Sequence, residues 1–258
     1  MKAGRYGSRA ILNPTFIDYA TGKPFMHMDY ANTASQETTA DVVYATGGDG
    51  APRRISFFGS KQSTLTFETQ IFTMKHLAMF AGRDIEKGVR SIFKREVVPV
   101  VDKSGTLTIT LQKTPVNLTS MTVLLFENGV ATEEIVPTAI KTKDVELTTG
   151  TVVAGDEVEV FYRFETTTEA QRLSITSGDF PKYIQIIGDT VYADEVNTGI
   201  VSGQLTYFKA RLQPNFTLNF SPTGDPTSLS MVFDIFPQKV LVDGSYKDTL
   251  YDIVLYDE

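Results

Sequence analysis

Residues 229–235, Leu-Ser-Met-Val-Phe-Asp-Ile, carry an apolar side chain at every second position, and only Val232 interrupts the polar set between them. Successive side chains of an extended strand point to opposite faces. A period of two therefore commits this segment to a sheet with one buried face and one wet face. Upstream, Phe216, Leu218 and Phe220 repeat the pattern around Thr217 and Asn219. A loop of Pro, Gly, Asp and Ser joins the two runs, so residues 208–237 read as one long hairpin. Thr217, Asn219, Ser230 and Asp234 take its polar side.

The same design comes earlier in the chain. "RRISFFG" and "STLTFETQI" flank "GSKQS" and read as a first hairpin over residues 53–71. Leu65, Phe67, Thr69 and Ile71 share one face, while Thr64, Thr66, Glu68 and Gln70 share the other. The period then lengthens: Met74, Leu77, Ala78 and Ala81 recur at helical spacing, with Thr73 placed to cap the start and Gly82 the end. After an ambiguous stretch in which Val97, Val98, Val100 and Val101 favour a strand broken by Pro99, the texture becomes many short strands between regular turn signals. Residues 99–168 read as a compact inserted β-sandwich of five or six strands. The longer strands resume in "KYIQIIGDTVYAD" and "SGQLTYFKARLQ", and "VLVDGSYKDTLYDIVLYDE" adds one or two more. The expected organisation is a discontinuous core, 1–98 with 169–258, interrupted by the insert 99–168.

Composition narrows the chemistry. Hydrophobic residues are 41% and charged residues 21%, globular values, and no apolar run reaches the ~20 residues of a membrane helix. The first sixteen residues lack the apolar core of a secretory signal, so a soluble, non-exported protein without membrane partners is expected. With no cysteine, there are no disulfides, thiolate nucleophiles or cysteine-based zinc sites, and two isolated histidines leave little for another metal site. The net charge of −7 is uneven: residues 1–98 carry 13 Lys+Arg against 9 Asp+Glu, and residues 99–258 carry 11 against 22. Much of the acidic excess falls in the insert. Such a surface is poorly suited to gripping phosphates, although it can let DNA pass without holding it.

No catalytic constellation emerges. His27 lies near Asp29 without a third ligand, and His76 reads as a surface or half-buried helix residue. "ATGGDGAPRR" has the glycines of a phosphate cradle but leads into a strand, which favours a flexible loop before Arg53 and Arg54. The aspartates of Gly178–Pro181 and Gly224–Pro226 suit turns. Glu133/Glu134 and Asp194/Glu195 read as solvated surface, and the sequons at Asn117 and Asn215 as chance. There is no Gly-x-Ser-x-Gly elbow. Neither an enzyme nor a cofactor is expected.

Two blocks carry a resemblance. "GAPRRISFFGSKQSTLTFETQIFTMKHLAMFAGRD", together with "GDFPKYIQIIGDTVYADEV" and "FKARLQPNFTLNFSPTGDPTSLSMVFDIFP", resembles tailed-bacteriophage tail tube (major tail) proteins. The resemblance implies a mainly β fold in which two long antiparallel hairpins form a curved sheet or barrel segment beside one short α-helix. It implies six subunits joined into rings whose hairpins line a channel, with rings stacked into a DNA-conducting tube, an architecture shared with the type VI secretion tube protein. The insert then stands as an accessory immunoglobulin-like domain. The implied partners are further copies of the chain, the sheath or terminator, the baseplate or tip, and DNA in transit. The implied location is the virion, after assembly in the host cytoplasm.

The residue pattern agrees with that reading, because ring closure satisfies the exposed edges of a long one-sided sheet. Its polar face then becomes the channel face: Thr64, Thr66, Glu68, Gln70, Thr217, Asn219, Ser230 and Asp234. The polar stretch 29–50 reads equally as a ring-stacking loop or a mobile connection. A head decoration or neck protein and a carbohydrate-binding β-sandwich, the latter kept open by 11 tyrosines, are the alternatives.

Overall fold

A computed structural model of the chain describes residues 5–150, 152–196, 199–223 and 226–256. It is mainly β, with antiparallel strands and, among the described residues, one α-helix. The chain divides into two compact units, residues 1–85 with 173–258, and residues 86–172.

The first unit opens with β1 (Tyr6–Gly7), β2 (Asn13–Asp18), β3 (Pro24–His27), β4 (Thr33–Thr46), β5 (Arg53–Thr69) and α1 (Met74–Ala81). It resumes with β16 (Tyr183–Asp194), β17 (Ile200–Leu212), β18 (Leu229–Ile235), β19 (Gln238–Val242), β20 (Ser245–Thr249) and β21 (Tyr251–Tyr256). Nine of these strands form one antiparallel sheet, seven of them in the order β3-β2-β16-β17-β18-β5-β4, with β1 paired to β16 and β21 to β17.

The sheet curls around its apolar face. Phe16 on β2 stacks on Phe233 of β18 with ring centroids 5.6 Å apart, and meets Phe67 of β5 edge-on at 6.2 Å. Two strands, β16 and β17, separate β2 from β18, so these rings meet only because the sheet bends across them. Tyr207 of β17 likewise reaches over the interior and donates its hydroxyl hydrogen to Gln36 of β4 at 2.8 Å. The curl stops short of closure. A gap of about 160 Å³, lined by Gln36, Leu65, Leu205 and Tyr207 among others, remains beside β4, and the sheet is not a closed barrel.

The helix is built as its sequence predicts. The Thr73 backbone N–H donates to Nδ1 of His76 at 2.9 Å, a capping-box arrangement that ties the N-cap to the third helical residue. Gly82 ends the helix in the left-handed region with φ 63°. Any side chain there would begin 2.2 Å from the Phe180 carbonyl oxygen, so the position demands glycine. Phe80 turns inward to close the core. His76 departs from expectation: it is fully buried, with Nδ1 accepting from Thr73 and Nε2 3.5 Å from the Tyr30 hydroxyl. Burial pushes its pKa below the ordinary histidine value, against a smaller upward pull from Thr73.

The larger correction concerns the first hairpin. Residues 53–69 form one strand, β5, and its hairpin partner is β4, which occupies the stretch 29–50 read as a loop. "GSKQS" is no turn. Ala40 pairs with Lys61 and Val42 with Phe58, which leaves Gly59 and Ser60 opposite Asp41 as a β-bulge. Ile71 also leaves its expected face and is 60% exposed. The cause is Thr69, whose buried hydroxyl donates to the Ile71 carbonyl at 2.7 Å and accepts the Ile71 N–H at 3.0 Å, turning the chain out of the sheet.

The second hairpin is shorter than its pattern. β17 and β18 pair only from Ala210–Leu212 to Phe233–Ile235, and "NFTLNF" between them is not a strand. Phe216 and Leu218 still pack against the core, with Phe216 4.8 Å from the Phe80 ring, so their apolar period reports burial under an irregular segment. The turn aspartate of Gly224–Pro226 lies outside the described residues.

The second unit holds β6 (Glu86–Lys87), β7 (Ser91–Pro99), β8 (Val101–Lys103), β9 (Thr106–Thr110), β10 (Thr122–Glu127), β11 (Val130–Ile135), β12 (Pro137–Lys141), β13 (Asp144–Leu147), β14 (Glu157–Glu165) and β15 (Gln171–Arg172). Two four-stranded sheets, β11-β10-β14-β7 and β12-β13-β9-β8, share a core that includes Val123, Ile109, Val145 and Val160. The chain passes from one sheet to the other at Val100 and at Val136. Inside, the buried carboxylate of Glu96 accepts from the Tyr162 hydroxyl at 2.5 Å and the Gln112 N–H at 3.1 Å, with the Lys94 ammonium 2.9 Å away.

Candidate assembly and channel surface

Strand pairing places five of the eight residues expected to face a channel on one sheet face. Thr64 pairs with Asp234, Thr66 with Val232 and Glu68 with Ser230, while Leu65, Phe67 and Thr69 alternate into the core opposite Phe233, Met231 and Leu229. β4 extends the polar face through Glu37 beside Thr64, Ser35 beside Thr66 and Thr33 beside Glu68. The Thr33 hydroxyl donates to Glu68 at 3.3 Å, and the Gln213 amide donates to Asp234 at 2.8 Å. Further across the sheet, Gln204 donates to Asp189 at 2.9 Å. Apart from Val232, the part of this face on β18, β5 and β4 is hydroxyls, amides and carboxylates, with Arg211 paired in register with Asp234 as a nearby cation.

The other three residues do not join it. Gln70 sits just past the end of β5 and is exposed, and Thr217 and Asn219 lie exposed in the irregular 213–223 segment. The two runs holding Thr217 and Ser230 are therefore not paired strands of one hairpin. Asp194 also differs from its expected solvated role. It is buried and accepts the backbone N–H of Arg5 at 3.2 Å and of Val196 at 2.9 Å, while Glu195 pairs with Arg5 at the surface.

Sequence reasoning missed a surface at the far end of the β4–β5 hairpin. β18 pairs with β5 only over Ser63–Thr69, so residues 40–46 and 53–62 continue as a two-stranded arm. The arm is exposed almost throughout yet apolar on both faces. Val43 (67% exposed) pairs with Phe57 (57%), and Val42 pairs with Phe58 (78%). Tyr44 carries the Arg53 guanidinium over its ring at 4.1 Å. The signal was present in "DVVYAT", a β-branched and aromatic run of strand type, but its polar, Gly-rich flanks masked it.

No group of three or more His, Asp or Glu suited to hold a metal occurs among the described residues. His27 is exposed with Nδ1 2.9 Å from the Thr15 hydroxyl, and no helix among the described residues is long and apolar enough to cross a membrane.

The model of the YomU/Tube protein family matches residues 9–247, nearly the whole chain, and the chain belongs to that family. The family carries a structural role in a phage tube. No curated protein sequence matches.

Proposed function

We propose that this tube-family member is a tail tube subunit that acts by self-assembly: copies join into hexameric rings, and the rings stack into the channel through which DNA leaves the virion. The arm is the observation that carries the proposal. A two-stranded ribbon is marginal in water by itself, and one with apolar residues on both faces is best accounted for by a surface outside its own subunit. The outer edge of β4 offers unpaired backbone groups to a neighbour, and ring closure is a way to satisfy them.

In this reading the polar face of Thr64, Thr66, Glu68, Ser230 and Asp234 lines the channel. Its carboxylates repel the phosphate backbone, so DNA passes without being held. Gln70, Thr217 and Asn219 stand at the rim. The insert, residues 99–168 within the 86–172 unit, is an immunoglobulin-like accessory module. Partners are further copies and the tail proteins at the tube's ends, assembled in the host cytoplasm, and the subunit has no catalytic role. Negative-stain microscopy of the purified protein with tail-initiation partners tests the proposal. Rings about one subunit thick, and tubes built from them, are expected; particles that stay monomeric at high concentration refute it.

A further inference from the structure

The polar face of the large sheet changes character along one row. Tyr183 of β16, Arg211 of β17, Asp234 of β18, Thr64 of β5 and Glu37 of β4 are successive partners in register, so they share that face. The β4 end of the row is acidic, and the β16 end is aromatic and cationic. Lys209 adds a second cation there, two positions before Arg211, at a bulge that sets Phe208 and Lys209 opposite Gln185.

Both cations stand over one ring. The Lys209 ammonium is 4.5 Å from the Tyr183 ring centroid and 5.7 Å from that of Tyr19, and the Arg211 guanidinium carbon is 5.3 Å from Tyr183. Neighbours fix the rings: Phe236 meets Tyr183 edge-on at 5.4 Å, Tyr19 lies 6.3 Å from Tyr183, and the Tyr19 hydroxyl donates to Gln238 at 2.6 Å. The Arg211 Nε–H donates to the Pro181 carbonyl at 2.8 Å, which holds the guanidinium in place. Among the described residues neither Lys209 nor Arg211 forms an ion pair, and Asp234, beside Arg211, accepts from the Gln213 amide instead. Tyr19 and Tyr183 remain 39% and 36% exposed, so a ligand can reach rings and charges together. Two cations without counter-charges, fixed beside exposed rings, suit a polyanion that carries apolar groups between its charges.

We propose that this cluster is a contact site for the phosphate backbone of DNA, with Lys209 and Arg211 taking neighbouring phosphates of one strand and Tyr19 and Tyr183 packing against the sugars between them. The inference rests on the tube reading, which puts this face in the channel and makes DNA its partner. It adds a difference of sign within the face: the carboxylates of β18, β5 and β4 repel the backbone, and the opposite end of the same row attracts it. Two charges screened by salt bind weakly, so the backbone touches this site and leaves it as DNA moves.

Tyrosine ring signals of the full-length protein, kept below its assembly concentration, test the site by NMR as a short DNA duplex is added in low salt. Tyr19 and Tyr183 are expected to shift together and saturably, with log K falling against log salt at a slope of about −2, the value for two phosphate contacts. Tyr44, whose ring carries the single cation Arg53 at 4.1 Å, is the internal control and should not move. A methylphosphonate duplex, which lacks the backbone charge, should shift none of the three, and this comparison needs no variant. Lys209→Gln with Arg211→Gln should weaken binding about tenfold or more. No shift at Tyr19 and Tyr183, an equal shift at Tyr44, or an equal response to the uncharged duplex overturns the site, whether or not the protein builds tubes. Saturable shifts in a protein that never assembles uphold the site and bring down the tube reading.

Discussion

The two halves of β5 differ in almost everything except backbone conformation. From Ser63 to Thr69 the strand is paired on both sides, by β18 and β4, and alternate side chains are buried. From Arg53 to Gln62 it is paired by β4 alone, every side chain is exposed, and apolar residues fall on both faces. The inner half shows how alternation arises, because one face has a core and the other has water. The outer half shows what its loss signifies: strand-forming apolar residues kept without a core of their own are suited to burial in another molecule.

The largest expected effect is in the inner half's core. Phe233→Ala removes a ring packed on Phe16 and Phe67 and should cost about 3–5 kcal/mol in chemical denaturation. A loss below about 1 kcal/mol would break the contrast at its firmer end. Thr69→Ala comes next. It removes the hydroxyl that turns the chain after β5 and leaves the Ile71 N–H without that acceptor, at a cost of about 1–3 kcal/mol.

A pH series adds a third measure of the inner half's environment, on the helix that follows it. Burial lowers the folded-state pKa of His76, so the folded protein resists a proton that the unfolded chain accepts near pH ~6.5. The stability from the neutral imidazole is therefore complete above that pH and declines as pH falls toward the depressed folded value. Tm measured from pH 8 to 5 should show the decline, and His76→Gln, which keeps an acceptor for the Thr73 N–H, should flatten it. The smallest effect on stability belongs to the outer half. Ile55→Thr with Phe57→Thr should change unfolding free energy by no more than about 0.5 kcal/mol, yet reduce assembly seen by sedimentation. A large stability loss there would show that the arm is packed within its own subunit.

Legibility in the sequence follows the same division. The faces of residues 63–69 and 229–235 were readable because each residue's burial repeats at the strand period, and α1 was readable from Thr73 and Gly82. The wet-face set Thr64, Thr66, Glu68, Ser230 and Asp234 came with them. What misled was local chemistry with two uses. Gly59 suits a turn and equally a bulge, and Phe216 and Leu218 alternate without hydrogen-bonded neighbours because they pack from an irregular segment. The arm was missed because a strand exposed on both faces has no period to read.

By itself the sequence determined a mainly β chain without thiol chemistry, a short capped helix, and the core faces of residues 63–69 and 229–235, since period, caps and composition are local properties. Tertiary structure alone decided that β5 pairs with β4, that the sheet curls until Phe16 meets Phe233, and that Phe58 stands exposed opposite Val42. Pairing partners and curvature depend on residues far apart in the chain, whose contacts carry energy only once the sheet has brought them together.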